Sequence, residues 1–277
     1  PVAAGDRQTF TVSAGEGYVI ANVLVDGVSV GQVSSYTFSN VRSNHTITVI
    51  FRDEDGVADP DDTGVSDWLD TDNHNAYLQG YGNNLFAPDA NMTRAEVAQL
   101  FYNLLRNQDV AITVSFADVP AGRWYTEAVN TLASLGIIVG AGDGNFYPNS
   151  PITRAEFTAI AMRFTKGDVA GDVSFTDVSP SSWYYRYVVG AVRYGWIVGY
   201  GNGQFAPNAS ISRAEVTTIA NRMLGRSADR VYVDGHLDEL KQFSDVTRGW
   251  AFYQIIEATN SHTHTITNGQ ETWTGLS

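Results

Sequence analysis

Residues 91–105 read NMTRAEVAQLFYNLL, and the phrase returns as PITRAEFTAIAMRF over 151–164 and as SISRAEVTTIANRML over 210–224. In each copy a hydroxyl residue (Thr93, Thr153, Ser212) stands three places before a glutamate (Glu96, Glu156, Glu215) and opens an apolar run. That spacing is a capping box: hydroxyl and carboxylate each accept a backbone N–H near the helix start that has no partner within the helix. Val97, Leu100, Phe101, Leu104 and Leu105, and then Phe157, Ile160 and Phe164, follow at spacings of three and four, so one face of each helix is core. An arginine comes directly after each cap (Arg94, Arg154, Arg213), where the helix dipole disfavours a cation by a few tenths to about 1 kcal/mol. Something anionic should face each one.

Outward from these helices the repetition widens. Each is preceded by a glycine turn and Phe-x-Pro: GYGNNLFAPDANMTRAE (80–96), GAGDGNFYPNSPITRAE (140–156) and GYGNGQFAPNASISRAE (199–215). The first glycine (Gly80, Gly140, Gly199) lies 14 residues before the arginine every time. Asn84 replaces Gly144 and Gly203, which predicts a positive φ there. A second unit, an Asp turn, a tryptophan and a helix, recurs as FADVPAGRWYTEAVNTLASLG (116–136), FTDVSPSSWYYRYVVGAVRYG (175–195) and FSDVTRGWAFYQIIEATN (243–260). Gly136 and Gly195 are expected to end their helices in the left-handed conformation, and Asn260 stands in the equivalent place. The aspartates Asp118, Asp177 and Asp245 read as caps of the turns before the tryptophan helices.

The two units alternate, starting with a glycine turn and ending with a tryptophan helix. A linear array in that order leaves an apolar face uncovered at each end. Residues 243–260 are therefore expected to pack beside 80–105 and close a pseudo-threefold bundle, with 225–242 as the strap of the return path. The resulting division is a small β domain over 1–52, an acidic linker over 53–65, and repeats over 66–110 (completed by 243–260), 111–166 and 167–226. Residues 227–277 hold the strap, the closing helix and a tail.

The fold class is thus mainly α with a small all-β start. Residues 8–51 alternate Thr, Val and Ile with period two around the hairpin signal Asp26-Gly27. The linker has nothing to bury, and its aspartates lack the closing glutamate of a calcium loop. The composition, 43% hydrophobic with 12% aromatic, is that of a protein that folds. A formal charge of −13 speaks against nucleic acid and anionic membranes as partners, and no apolar run approaches the length of a membrane span, so membrane insertion is not expected. With no cysteine there is no thiolate metal site, thiol nucleophile or disulfide. Pro1 without an initiator methionine reads as a fragment or processed form.

Three copies of F-x-D-V…W and of G-x-G-x-x-F-x-P…[ST]-R-A-E resemble the S-layer homology domain, over residues 66–260. The N-terminal strands resemble, more loosely, β repeats of bacterial surface proteins. The S-layer resemblance implies a three-lobed helical bundle that anchors an exported protein non-covalently at the bacterial cell wall. The partner it implies is a secondary cell-wall polysaccharide carrying a pyruvate-ketal sugar. Arg94, Arg154 and Arg213, with free N–H groups of the helix starts, would then hold the ketal carboxylate. The sugar would lie on Trp124, Trp183 or Trp250, in grooves that include Asp118, Asp177, Asp245, Gly80, Gly140 and Gly199. The residue reading alone leaves another option open, in which each arginine pairs with an internal carboxylate such as Asp118, Asp177 or Asp245. One tryptophan per repeat also reads as core. The sequence departs from the family in lacking an arginine between Phe and Pro, where Ala87, Tyr147 and Ala206 stand. Ala141 replaces Tyr81 and Tyr200, which marks the middle groove, assigned to Arg154, as the weak one.

The rival readings are a self-assembly module of a surface layer and a polysaccharide-acting enzyme fragment. No nucleophile elbow or zinc helix supports catalysis, so no enzyme and no cofactor is expected. The histidine pair His262-x-His264 lacks a third ligand in its neighbourhood and reads as incidental, with no metal expected.

Overall fold

A computed structural model describes residues 5–13, 18–26, 28–31, 33–53, 56–167, 171–200, 203–267 and 270–277. The chain divides after Gly56 into two compact units. The N-terminal unit is all antiparallel strand. β2 (Tyr18–Val25) lies between β3 (Val28–Gly31) and β5 (Ile47–Asp53), while β1 (Gln8–Thr11) pairs with β4 (Ser35–Phe38). Asp26 has φ 51°, as the Asp-Gly turn signal requires, and its carboxylate accepts from Thr46 N at 2.8 Å. Gly27 lies outside the described residues.

The second unit is helical. It holds α1 (Pro60–Thr63), α2 (Arg94–Leu104), α3 (Thr126–Ser134), α4 (Arg154–Met162), α5 (Tyr185–Arg193), α6 (Arg213–Met223), α7 (Arg230–Gly235) and α8 (Phe252–Thr259). A hairpin of β6 (His262–Thr267) and β7 (Gln270–Leu276) ends it. All three capping boxes form, with Thr93, Thr153 and Ser212 each accepting from the N–H of the glutamate three residues on. The apolar faces pair α2 with α3, α4 with α5 and α6 with α8 around one core that includes Phe86, Phe101, Phe146, Phe157, Phe205 and Ile255. No helix among the described residues is long and apolar enough to cross a membrane.

What joins the repeats is a cycle of backbone hydrogen bonds just before the caps. Met92 N donates to Ile211 O (3.0 Å), Ile211 N to Ile152 O (3.1 Å), and Ile152 N to Met92 O (3.0 Å). The same segments receive the helix starts: Arg94 N donates to Ser150 O, Arg154 N to Ala209 O and Arg213 N to Ala90 O, at 2.9–3.0 Å. The next amides, of Ala95, Ala155 and Ala214, donate to the carbonyls of Pro148, Pro207 and Pro88.

The aspartates act at the same joints. Asp118 accepts from Phe146 N and Tyr147 N, Asp177 from Phe205 N and Ala206 N, and Asp245 from Phe86 N and Ala87 N, all at 2.7–2.9 Å. They do not cap the tryptophan helices, whose starts have no side-chain cap. Each holds a Phe-x-Pro turn in which Ala87, Tyr147 or Ala206 takes φ 56–58°. A non-glycine residue there costs about 1–2 kcal/mol, which two charge-assisted hydrogen bonds offset.

Residues 243–246 sit on the first glycine turn, with the Phe243 ring 5.4 Å from Phe86 and Ser244 N bonded to Asn84 O. The helix that follows packs on α6, and the amides of Tyr77 and Leu78 donate to the carbonyl at its end, Ala258 O. Gly80, Gly140 and Gly199 are fixed by close approach, because a Cβ at any of them would strike the ring of Phe243, Phe116 or Phe175.

Two expectations need correction. The linker folds in its second half: α1 and the fully buried Val65 belong to the helical unit. Gly136 and Gly195 do take positive φ, and so does Asn84 at 58°, but Asn260 is extended (φ −124°). The Asn260 side chain explains this, since it accepts from Lys241 N and donates to Ile256 O, closing the helix without a left-handed residue. In the tail, Trp273 packs with Val233, Leu240, Phe252 and Ile256 in a second apolar cluster.

Candidate functional site

The arginines leave their own helices and reach the neighbouring glycine turn. Arg94 Nε donates to Phe146 O (2.7 Å), Arg154 Nε to Phe205 O (2.8 Å) and Arg213 Nε to Phe86 O (2.9 Å). Arg94 Nη2 adds a bond to Val139 O and Arg213 Nη2 one to Gln79 O, both at 2.8 Å. Each guanidinium also lies over the ring of the phenylalanine it bonds.

The anionic partners are the capping glutamates of the next helix. Arg154 Nη1 is 2.6 Å from Glu215 Oε1, and Arg94 Nη1 is 3.4 Å from Glu156 Oε1. Arg213 reaches Glu96 through the Tyr81 hydroxyl, which it contacts at 3.3 Å and which donates to Glu96 Oε1. Internal pairing is therefore present, with Glu96, Glu156 and Glu215 in place of Asp118, Asp177 and Asp245. The expected free N–H donors are absent from these helix starts: the first two amides serve neighbouring carbonyls and the third serves the cap.

The three sockets differ in openness. Tyr200 covers Arg154, with its ring 4.7 Å from the guanidinium carbon, and its hydroxyl donates to Glu215 Oε1 at 2.8 Å. Tyr81 covers Arg213 at 4.3 Å. Ala141 fills the corresponding place opposite Arg94, so the turn that lacks a tyrosine belongs to Arg94, and the assignment to Arg154 is corrected. The side chain of Arg94 is 14% exposed against 5% for Arg154, and its ion pair is the longer one. A missing phenol thus opens this socket, where the sequence reading made it the weakest.

The tryptophans reverse the core expectation. Trp124, Trp183 and Trp250 are 60, 59 and 68% exposed, while Trp196 and Trp273 are buried. A groove of about 430 Å³ is lined by Asp118, Arg123, Tyr125, Tyr147 and Asn149. Sequence reasoning did not single out Arg123, which has no repeat equivalent and no motif. It also missed that His262 and His264 have company: His74 and Glu271 join them in one group, buried except for the half-buried His264. The four come from points up to 197 residues apart, and no local spacing signals that.

Exposed aromatics recur on a frame of internally tied joints, and comparison with known proteins shows what the chain is similar to. The S-layer homology domain matches residues 74–98, 115–158 and 174–217. A cellulosome-anchoring protein of Acetivibrio thermocellus is 33% identical over 213 residues, covering 73% of this chain and 46% of that protein. Cell surface glycoprotein 1 of the same organism is 31% identical over 219 residues, covering 73% and 9%. An amylopullulanase of Thermoanaerobacterium thermosulfurigenes is 33% identical over 159 residues, covering 55% and 8%. The chain spans less than half the length of each of these relatives.

Proposed function

We propose that this chain is an anchoring module that holds an exported protein at the bacterial cell surface by binding secondary cell-wall polysaccharide. The repeats at 66–110 with 243–260, at 111–166 and at 167–226 form a pseudo-threefold bundle, which the cyclic hydrogen bonds and the seating of Asp245 on the first turn support. The observation that carries the reading is the exposure of three equivalent tryptophans in a unit whose other aromatics mostly form its core. A ring edge and face held rigidly in water is a platform for a sugar, and three on one body suit a polymer that repeats its sugar. The match to an enzyme covers a small part of that enzyme, in keeping with an attachment region apart from the catalyst.

The pyruvate-ketal carboxylate is received at Arg94. Arg154 and Arg213 are covered by tyrosines and act as joints, as do Asp118, Asp177, Asp245, Gly80, Gly140 and Gly199. Arg94 alone combines a loose ion pair with an open side. Titration of the pyruvylated monosaccharide by calorimetry tests this against Ala141→Tyr, whose phenol would cover Arg94 as Tyr81 and Tyr200 cover the others. Loss of a charged hydrogen bond worth about 1.5–3 kcal/mol predicts at least tenfold weaker binding with an unchanged melting temperature. Equal affinity in the variant would remove Arg94 from the site.

A further inference from the structure

Three donor atoms converge inside the C-terminal part of the helical unit. His74 Nδ1, His262 Nε2 and Glu271 Oε1 lie 2.9–3.0 Å from one another, and all three side chains are buried. Glu257 Oε1 is 3.6 Å from both imidazole nitrogens. Glu257 is 1% exposed, and neither of its oxygens has a hydrogen-bond partner. The Trp273 indole N–H donates to Glu271 Oε1 at 3.0 Å.

Protons do not satisfy this arrangement. His262 Nδ1 lies 2.9 Å from Asn260 O and must donate to it, so the neutral ring presents a lone pair at Nε2. That lone pair faces a carboxylate oxygen at 3.0 Å and another imidazole nitrogen at 3.0 Å. A proton on His74 Nδ1 serves one of these contacts well and leaves the rest repulsive or empty, including a buried Glu257. Arg226 is the nearby cation, but its guanidinium donates to the carbonyls of Asp70, Asn73 and Asn75.

A dication at the centre resolves every one of these conflicts. Bonds of 2.0–2.1 Å at tetrahedral angles put donors about 3.3 Å apart, and the separations among His74 Nδ1, His262 Nε2 and Glu271 Oε1, with those of Glu257 Oε1 from the two nitrogens, run from 2.9 to 3.6 Å around that value. The hydrogen bond from His262 Nδ1 to a carbonyl is the usual second contact of a metal-bound histidine, and Ser227 N holds the other oxygen of Glu271 at 2.8 Å. His264 stacks on His74 with ring centroids 3.6 Å apart and stands at the rim of the group.

We propose that His74, His262, Glu271 and Glu257 form a structural site for a divalent transition metal of the zinc class. Imidazole with carboxylate is a donor set for zinc, and the buried, closed shell leaves no open position for catalysis. The metal ties the start of the first repeat to α8 and the terminal hairpin, across 197 residues, in a chain that has no cysteine for a disulfide. The seating of residues 243–260 on the first repeat is thereby fastened from behind.

The test uses the full chain without a histidine tag, stripped by chelator and titrated with ZnCl₂. Calorimetry and metal analysis are expected to give one zinc per chain and a melting temperature that rises with zinc. Co(II) is expected to show the visible absorption of a four-coordinate ion. His262→Ala is expected to weaken binding at least 100-fold. Glu257→Gln keeps the side-chain shape and is expected to weaken it about 10- to 100-fold, which covers the case where the histidine variant does not fold. Zinc uptake no greater than that of folded Glu257→Gln, or no uptake by the wild type while Glu257→Gln melts higher, would show a buried proton cluster and overturn the proposal.

Discussion

Arg154→Ala is expected to destabilise the helical unit by about 3–5 kcal/mol, the cost of removing one partner from a buried ion pair. The variant leaves Glu215 without its 2.6 Å contact, leaves Phe205 O without its donor, and removes a cation from between two rings. Arg213→Ala should come next, because its partners are neutral carbonyls and a tyrosine hydroxyl. Arg94→Ala should cost least, about 1–2 kcal/mol for two hydrogen bonds and a long, partly exposed ion pair. Urea unfolding of the three variants gives the order. If all three melt like the wild type, the arginines are not joints.

A chain ending at Arg226 is expected to lose cooperative folding. Truncation takes Phe243, Ile255 and Ala258 out of the main core, and Phe and Ile are each worth about 1.5–3 kcal/mol when fully buried. It uncovers the face of α6 on which α8 packs, strips Phe86 N and Ala87 N of the Asp245 carboxylate, and takes Gln254 from the buried Asn221 amide. Against a total stability of about 5–15 kcal/mol these losses are decisive. A broad thermal transition with dye-accessible apolar surface is the expected readout, and a sharp transition at the wild-type temperature contradicts it.

The legible part of the fold was the local part. Thr93-x-x-Glu96 and its two copies announce helix starts because both halves of the capping box lie within one turn. Gly136, Gly195 and Asn84 announce positive φ because the penalty on a Cβ acts at a single residue. Asn260 shows the limit: its backbone is set by side-chain bonds to Lys241 and Ile256, and it did not need the left-handed turn its position suggested. The repeat count and order pointed to a closing contact at the first turn, but did not show which atoms make it.

The site was harder to read. Whether an arginine at a helix start meets a ligand or a neighbour depends on groups 51 to 127 residues away, such as Phe205 O and Phe86 O, which spacing does not reveal. The difference between Tyr200 and Ala141 was visible, but not that the turn carrying Ala141 faces Arg94. The arginine opposite each turn comes from the preceding repeat in the cycle, and an absent phenol opens a socket. The tryptophans looked like core because large apolar residues usually are, and only the packed structure shows that three of them are left outside.

The central claim is that Arg154 and Arg213 hold the bundle while Arg94 and the exposed tryptophans meet the wall polymer. Calorimetric titration of purified wall polysaccharide into the Trp124→Ala, Trp183→Ala, Trp250→Ala triple variant, with its melting temperature measured in parallel, tests this most directly. Since the sites act together on one polymer, the predicted result is a loss of about 10²- to 10⁴-fold in apparent affinity at an unchanged melting temperature. Wild-type affinity in the triple variant would contradict the account.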